Sequence, residues 1–315
     1  MQIYSKLFWS VVWVCLLAIS GSVAARDAAD DTTYAWKKSL VFSLLAAQTS
    51  YNDAWTGGEV GSFSWQSNLN GMAQRQFTDV FHLKSTLKLS FGQTSTQDEA
   101  TGDWSEPSKS TDEIDWESVG SFTMHKFVDP YVAFRLESQF FDGRYNNRVF
   151  LDSVSSNTKL WFSPLRLTES AGATRMFYEK DDDFISSRLG FAFRQTFQSY
   201  IDTTDVALPQ VDSTFNDGGL ESVTDAALTL SDKLQYTTKL TLYKAIFFSE
   251  SDQVKGTPAE DDWKTIDVDW ENMIAAQVSK VVTVSFYAQF LYDKQVEKRG
   301  RLKQTLALGI TYRLF

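Results

Sequence analysis

From about residue 80 to the C-terminus, the chain alternates apolar and polar positions in stretches of roughly ten or more residues, each followed by a gap. Leu83, Leu87, Leu89 and Phe91 alternate with His82, Lys84, Thr86, Lys88 and Ser90. Much later, Tyr236, Leu240, Leu242, Ile246 and Phe248 alternate with Gln235, Thr237, Lys239, Thr241 and Tyr243. A period of two places each set on one face of a strand. Long strands with one apolar and one charged face fit a wall between lipid and water. A soluble sandwich would alternate as well, but with strands of about five to six residues.

The alternation predicts about twelve strands: Lys38–Gln48, Gly61–Arg75, Asp79–Gln93, Asp112–Lys126, Tyr131–Asp142, Trp161–Glu179, Asp183–Gln198, Gly219–Thr229, Leu234–Ser249, Trp263–Val278, Val281–Gln295 and Arg301–Phe315. Connections after even-numbered strands are tight, as in Lys180–Asp183 and Ser279–Lys280. Those after odd-numbered strands are mostly long: Thr94–Thr111, Gly143–Leu160, Ser199–Gly218 and Glu250–Asp262. Loops sorted by length in this way predict an antiparallel transmembrane β-barrel with short periplasmic turns, long extracellular loops and both termini periplasmic. Prolines fall outside the expected ladders except Pro164, where a bend would switch the parity of the sixth strand.

Parity separates the two faces. Ile266, Val268, Trp270, Ile274, Ala276 and Val278, then Val282, Val284, Phe286, Ala288, Phe290 and Tyr292, then Leu302, Leu306, Leu308, Ile310, Tyr312 and Leu314, point to lipid. The opposite face carries His82, Lys84, Lys88, Asp115, Glu117, His125, Arg135, Glu137, Arg188, Arg194, Lys239, Asp267, Asp269, Glu271, Lys303 and Arg313, which are expected to line the lumen. An Arg or Lys on the lipid side at the midplane would cost ~2–4 kcal/mol, which favours the inward direction. Mixed signs allow two arrangements: ion pairs that fill the bore, or a narrow wet passage. Trp116, Trp161, Trp263 and Tyr292 are expected in the aromatic girdles at the membrane interfaces.

The N-terminus changes the picture of location. Lys6, the apolar run Leu7–Ile19 and the small residues Ser22-Val23-Ala24 read as a secretory signal over residues 1–24. Residues 25–37 then form a periplasmic segment and residues 38–315 the barrel. Cys15, the only cysteine, falls within the signal, so the mature chain has no thiol chemistry. Removing Lys6 from 30 basic residues leaves 29 against 40 acidic ones, a balance of −11 that argues against nucleic acid as a partner. No later run approaches the ~20 apolar residues of a spanning helix.

Candidate chemistry is sparse. His82 and His125, the only histidines, share the inward face near the tight-turn end of the third and fourth strands. No third ligand at metal spacing accompanies them. No nucleophile elbow, phosphate loop or metalloprotease motif occurs, so no catalytic residue, metal site or cofactor is expected.

The segment Gln48-Thr49-Ser50-Tyr51-Asn52-Asp53-Ala54-Trp55-Thr56-Gly57-Gly58-Glu59, with Ser62-Phe63-Ser64-Trp65 after it, resembles the N-terminal signature of an uncharacterised outer-membrane β-barrel family of Bacteroidota-type bacteria, a domain of unknown function. Phe162-Ser163-Pro164 leading into Leu167-Thr168-Glu169-Ser170, and Val268-Asp269-Trp270-Glu271 with Tyr292-Asp293, are similar as well. The resemblance implies barrel form and outer-membrane location, and no catalytic residues. The last strand, ending in Phe315, also resembles the signal read by the barrel-assembly machinery, with Phe315 one step out of phase with Leu314. The expected role is a passive or weakly selective conduit for small solutes. The alternatives are a non-conducting barrel that binds an external ligand through its long loops, and a membrane-embedded hydrolase. Outer-membrane lipid is the expected surrounding in each case.

Overall fold

A computed structural model of the chain describes residues 34–51, 60–99, 101–124, 127–141, 158–201 and 210–314. The signal over 1–24, the Gly57-Gly58 turn, His125 and Phe315 lie outside the described residues. One antiparallel sheet contains thirteen strands, of which Thr158–Lys159 is a two-residue piece on the end of a longer neighbour. The other twelve are β1 (Lys37–Thr49), β2 (Ser62–Thr78), β3 (Phe81–Thr96), β4 (Ser108–Phe122), β5 (Asp129–Ser138), β6 (Leu165–Lys180), β7 (Asp183–Ile201), β8 (Gln210–Ser231), β9 (Leu234–Phe248), β10 (Ile266–Gln277), β11 (Val282–Asp293) and β12 (Glu297–Arg313). Each pairs with its neighbours in sequence, and β1 pairs with β12 from Val41 opposite Arg313 to Ala46 opposite Leu308, so the sheet closes. Closure leaves no strand with a wholly open edge, although Glu297–Ala307 of β12 pairs only with β11.

The outer surface is apolar. On β12 alone, Leu302, Leu306, Leu308, Ile310 and Tyr312 are all more than half exposed. A water-soluble monomer does not leave so continuous an apolar stripe uncovered, whereas a lipid-facing wall requires it. Turns of two to six residues close one end of the barrel, at β2–β3, β4–β5, β6–β7, β8–β9 and β10–β11. Both ends of the strand series, the start of β1 and the finish of β12, lie at that same end.

Three expectations about the strands need correction. The connection expected over Ser199–Gly218 is mostly ladder: β7 runs to Ile201 and β8 begins at Gln210, with Ile201 opposite Gln210. Asp212, Asn216, Asp217 and the Gly218-Gly219 pair break the apolar alternation there. The strand continues because a hairpin beyond the lipid needs only backbone pairing. Phe248 does not share the lipid face of Leu242 and Ile246. A register shift between Ala245 and Phe247 turns it inward, against Phe215 and Trp263. Pro164 precedes β6 and switches nothing; the irregularity in that strand lies between Met176 and Tyr178. Glu169 and Arg175 therefore keep the outward parity of Leu165 and Leu167.

Glycine is required on the inward face beneath Tyr131. Tyr131 on β5 is 2% exposed and lies over the paired Gly172 and Gly190 of β6 and β7. A Cβ at Gly190 would stand 2.6 Å from the Tyr131 hydroxyl and 2.3 Å from the Ala171 carbonyl oxygen, closer than any side chain tolerates.

Candidate functional site

The interior of the barrel is the candidate site, because its charged side chains come together there. Their positions follow from register. Lys88 of β3 is opposite Asp115 of β4, Asp115 is opposite Glu137 of β5, and Glu117 is opposite Arg135. Lys239 of β9 is opposite Asp225 on one side and Glu271 of β10 on the other. Alternation then gives one inward charge every second residue.

The central group is Glu117. It accepts a hydrogen bond from Arg188 of β7 and lies 3.2 Å from the Lys239 ammonium of β9. Arg188 also approaches Glu221 of β8 at 3.9 Å. Beside them, Arg135 grips Asp115 with two hydrogen bonds of 3.0 and 2.9 Å and lies 3.2 Å from Glu137. A second group centres on Lys88, which is 3.1 Å from Glu113 and 2.6 Å from Glu271. The Tyr287 hydroxyl donates to Glu271 at 2.9 Å, and Gln289 donates to Asp269 at 2.9 Å.

Two of these contacts cross the bore. Following the sheet order, β4 and β9 are five strands apart by the shorter way, and so are β3 and β10. Glu117–Lys239 and Lys88–Glu271 therefore join nearly opposite walls, which approach within side-chain reach at this level. Asp115, Glu117, Arg188, Arg194, Asp217 and Glu221 are each less than a tenth exposed, so little water surrounds them. Each of these charges has an opposite charge nearby, which offsets the cost of burial, although Arg188 Nε and one Glu221 oxygen, 3.9 Å apart, make no hydrogen bond.

A third group lies nearer the long-loop end. Arg194 of β7 is 2.7 Å from Asp217 of β8 and 3.0 Å from Asp267 of β10, and its guanidinium stacks 3.5 Å from the centre of the Tyr243 ring. The Tyr243 hydroxyl donates to Asp217. Above it the β9–β10 connection folds inward: Trp263, in the short 3-10 turn Asp262–Lys264, packs on the buried cluster of Ala192, Tyr243 and Ala245. Asp262 is held 2.9 Å from the Lys294 ammonium, which ties this loop to the end of β11.

Among the residues expected in the lumen, Lys84, Lys88, Asp115, Glu117, Arg135, Glu137, Arg188, Arg194, Lys239, Asp267, Asp269, Glu271 and Lys303 share the inward register, and all but Lys84 and Lys303 belong to these three groups. Lys84 lies 4.6 Å from the Phe184 ring centre, and Lys303 donates to Thr111 at 3.0 Å. His82 lies opposite Gln76 and Ser121, away from the ion pairs. Arg313 is on the inward register opposite Val41, but its side chain is outside the described residues. Among the described residues no cluster of three or more His, Cys, Asp or Glu could hold a metal ion.

The aromatic expectations divide. Tyr292, opposite Val268, faces out near the end of β11, and Trp161 is exposed just before β6. Trp116 faces out at the middle of β4, because that strand begins at Ser108, and its indole N–H donates to Ser85 at 2.9 Å. Trp263 is not a girdle residue; it packs over the bore.

Sequence reasoning missed Glu113, Asp217, Glu221, Tyr243 and Tyr287. Glu113 has the parity of Asp115 and could have been found that way. Asp217 was hidden by the misplaced loop. Alternation places Tyr243 on the polar face with Lys239 and Thr241, but it does not show that a tyrosine hydroxyl joins an ion cluster, as those of Tyr243 and Tyr287 do.

The barrel is similar in overall form to bacterial outer-membrane barrels. The translocator domain of the autotransporter NalP from Neisseria meningitidis matches at 10% identity with a TM-score of 0.38, over 99% of this chain and 98% of that one. An outer-membrane channel from Pseudomonas putida F1 matches at 11% identity and 0.37, over 91% and 99%. The NanC porin matches at 10% and 0.34, over 86% and 97%. No curated protein matches the sequence. Residues 46–144, which contain the Gln48–Glu59 and Ser62–Trp65 motifs, match a family described as a protein of unknown function (DUF3078).

Proposed function

We propose that this chain is an outer-membrane barrel whose bore is sealed at rest by ion pairs, and that it acts through its long-loop end instead of as an open pore. The observation that carries the reading is the pair of contacts, Glu117–Lys239 and Lys88–Glu271, that join opposite walls. In this reading the tight turns and both termini face the periplasm, the last strand is the segment handled by the assembly machinery, and the long loops meet an external ligand. No catalytic residue or cofactor takes part.

A gated conduit is the second reading, and it too has a supporting feature. The seal is made of side chains on different strands, so rotamer changes and a modest parting of the walls would open it, without removal of a folded plug. Proteoliposomes distinguish the two. In an osmotic swelling assay with small sugars and amino acids, the sealed reading predicts swelling at the protein-free rate; fast swelling with wild-type protein would sink it.

A further inference from the structure

Two arginines face the lipid side of the wall at the tight-turn end, and neither has an acidic partner among the described residues. Arg75, near the end of β2, is opposite the outward Leu83. Its guanidinium lies 5.8 Å from the Trp36 ring centre and 5.1 Å from that of Phe77, and the Lys38 ammonium is 5.9 Å from Trp36. Arg175, near the end of β6, is opposite the outward Ser187. It stacks 3.6 Å from the centre of Phe127, in the β4–β5 turn, and 5.4 Å from Phe177. Phe127 is 75% exposed and Phe177 62%. The Nε of Arg75 and an Nη of Arg175 are shielded from water and make no hydrogen bond.

Three carboxylates at this rim accept hydrogen bonds from other groups: Asp79 from the Tyr34 hydroxyl, Asp129 from the Met124 N–H and Asp183 from the Thr229 N–H. Rings on a guanidinium hold its plane, and N–H groups left at its edge form a fork that fits phosphate bidentately. Rings exposed at this level are those that settle among lipid headgroups. An arginine so placed can extend its charge to the headgroup layer while its stem stays on the apolar wall.

We propose that Arg75 with Trp36, Phe77 and Lys38, and Arg175 with Phe127 and Phe177, are two separate binding sites for the phosphodiester of an anionic phospholipid in the leaflet at the tight-turn end. The proposal rests on the barrel spanning a membrane and is independent of whether its bore is closed. It is tested by native mass spectrometry of the detergent-released barrel titrated with phosphatidylglycerol, phosphatidylcholine of the same chains, or inorganic phosphate. Wild-type protein should retain two phosphatidylglycerols in preference to phosphatidylcholine. Arg75→Gln and Arg175→Gln should each lose one, and the double variant both. Phe127→Ala keeps the charge and lies in a turn, so it reads the second site even where Arg175→Gln fails to fold; its binding should weaken about tenfold. Equal retention by wild-type and double-variant barrels, both migrating as folded, would overturn the proposal. Displacement of the lipid by millimolar inorganic phosphate would also overturn it, by reassigning the sites to free phosphate.

Discussion

Glu117→Gln is expected to destabilise the barrel by ~3–5 kcal/mol, the usual consequence of removing one partner from a buried ion pair. Glu117 serves two cations at once, Arg188 and Lys239, so its neutralisation leaves both with less than full compensation. Of its two carboxylates Arg188 would retain only Glu221, at 3.9 Å and too far for a hydrogen bond, with a neutral amide oxygen in place of the other. Lys239→Met should cost less, because Glu117 keeps Arg188. The double variant Glu117→Gln/Lys239→Met should be less destabilised than the sum of the two, since replacing both partners removes the orphaned charge along with the bond. Denaturant midpoints of barrels refolded in detergent measure all three. Strict additivity would mean that the two side chains do not pair, and the assignment of Glu117 as the centre of the waist would fall.

The second large effect is on permeation. Truncating Lys88, Glu117, Lys239 and Glu271 to alanine removes both contacts that span the bore and leaves the net charge unchanged, with two acids and two bases lost. Arg135 keeps Asp115 and Arg194 keeps Asp217, so the wall retains its shorter-range pairs. The variant should swell proteoliposomes and pass current in discrete steps where the wild type does neither. A conducting variant with a silent parent places the seal in those four side chains. If the variant folds and stays silent, the closure lies elsewhere, and the inward-folded Trp263 with its Asp262–Lys294 tie is the next barrier to remove.

How much of this could be read from the sequence depends on what alternation encodes. Lipid punishes an outward charge, so most charges in the span point inward, with Glu169 and Arg175 as outward exceptions, and the strands were legible from period two together with the sorting of connections by length. Beyond the lipid that pressure lapses. The Gln210–Gly219 stretch of β8, with Asp212, Asn216 and two glycines at its end, is a strand that looks like a loop. A bulge is a property of the backbone, yet it left a trace: Ala245-Ile246-Phe247-Phe248 is four apolar residues in a row, which strict alternation cannot accommodate. The candidate site was legible as a list and not as a contact map. Parity assigns Glu117 and Lys239 to the same interior. It says nothing of a contact between residues 122 apart in sequence, nor of how near opposite walls come. Trp263 was misplaced because an aromatic near a strand end suits a girdle and a mouth equally well.

Single-channel recording of the wild-type barrel in planar bilayers tests the central claim most directly. A chain sealed by Glu117–Lys239 and Lys88–Glu271 inserts without discrete conductance steps at neutral pH and moderate voltage. Stable openings whose size scales with salt concentration would show a continuous aqueous path and contradict it.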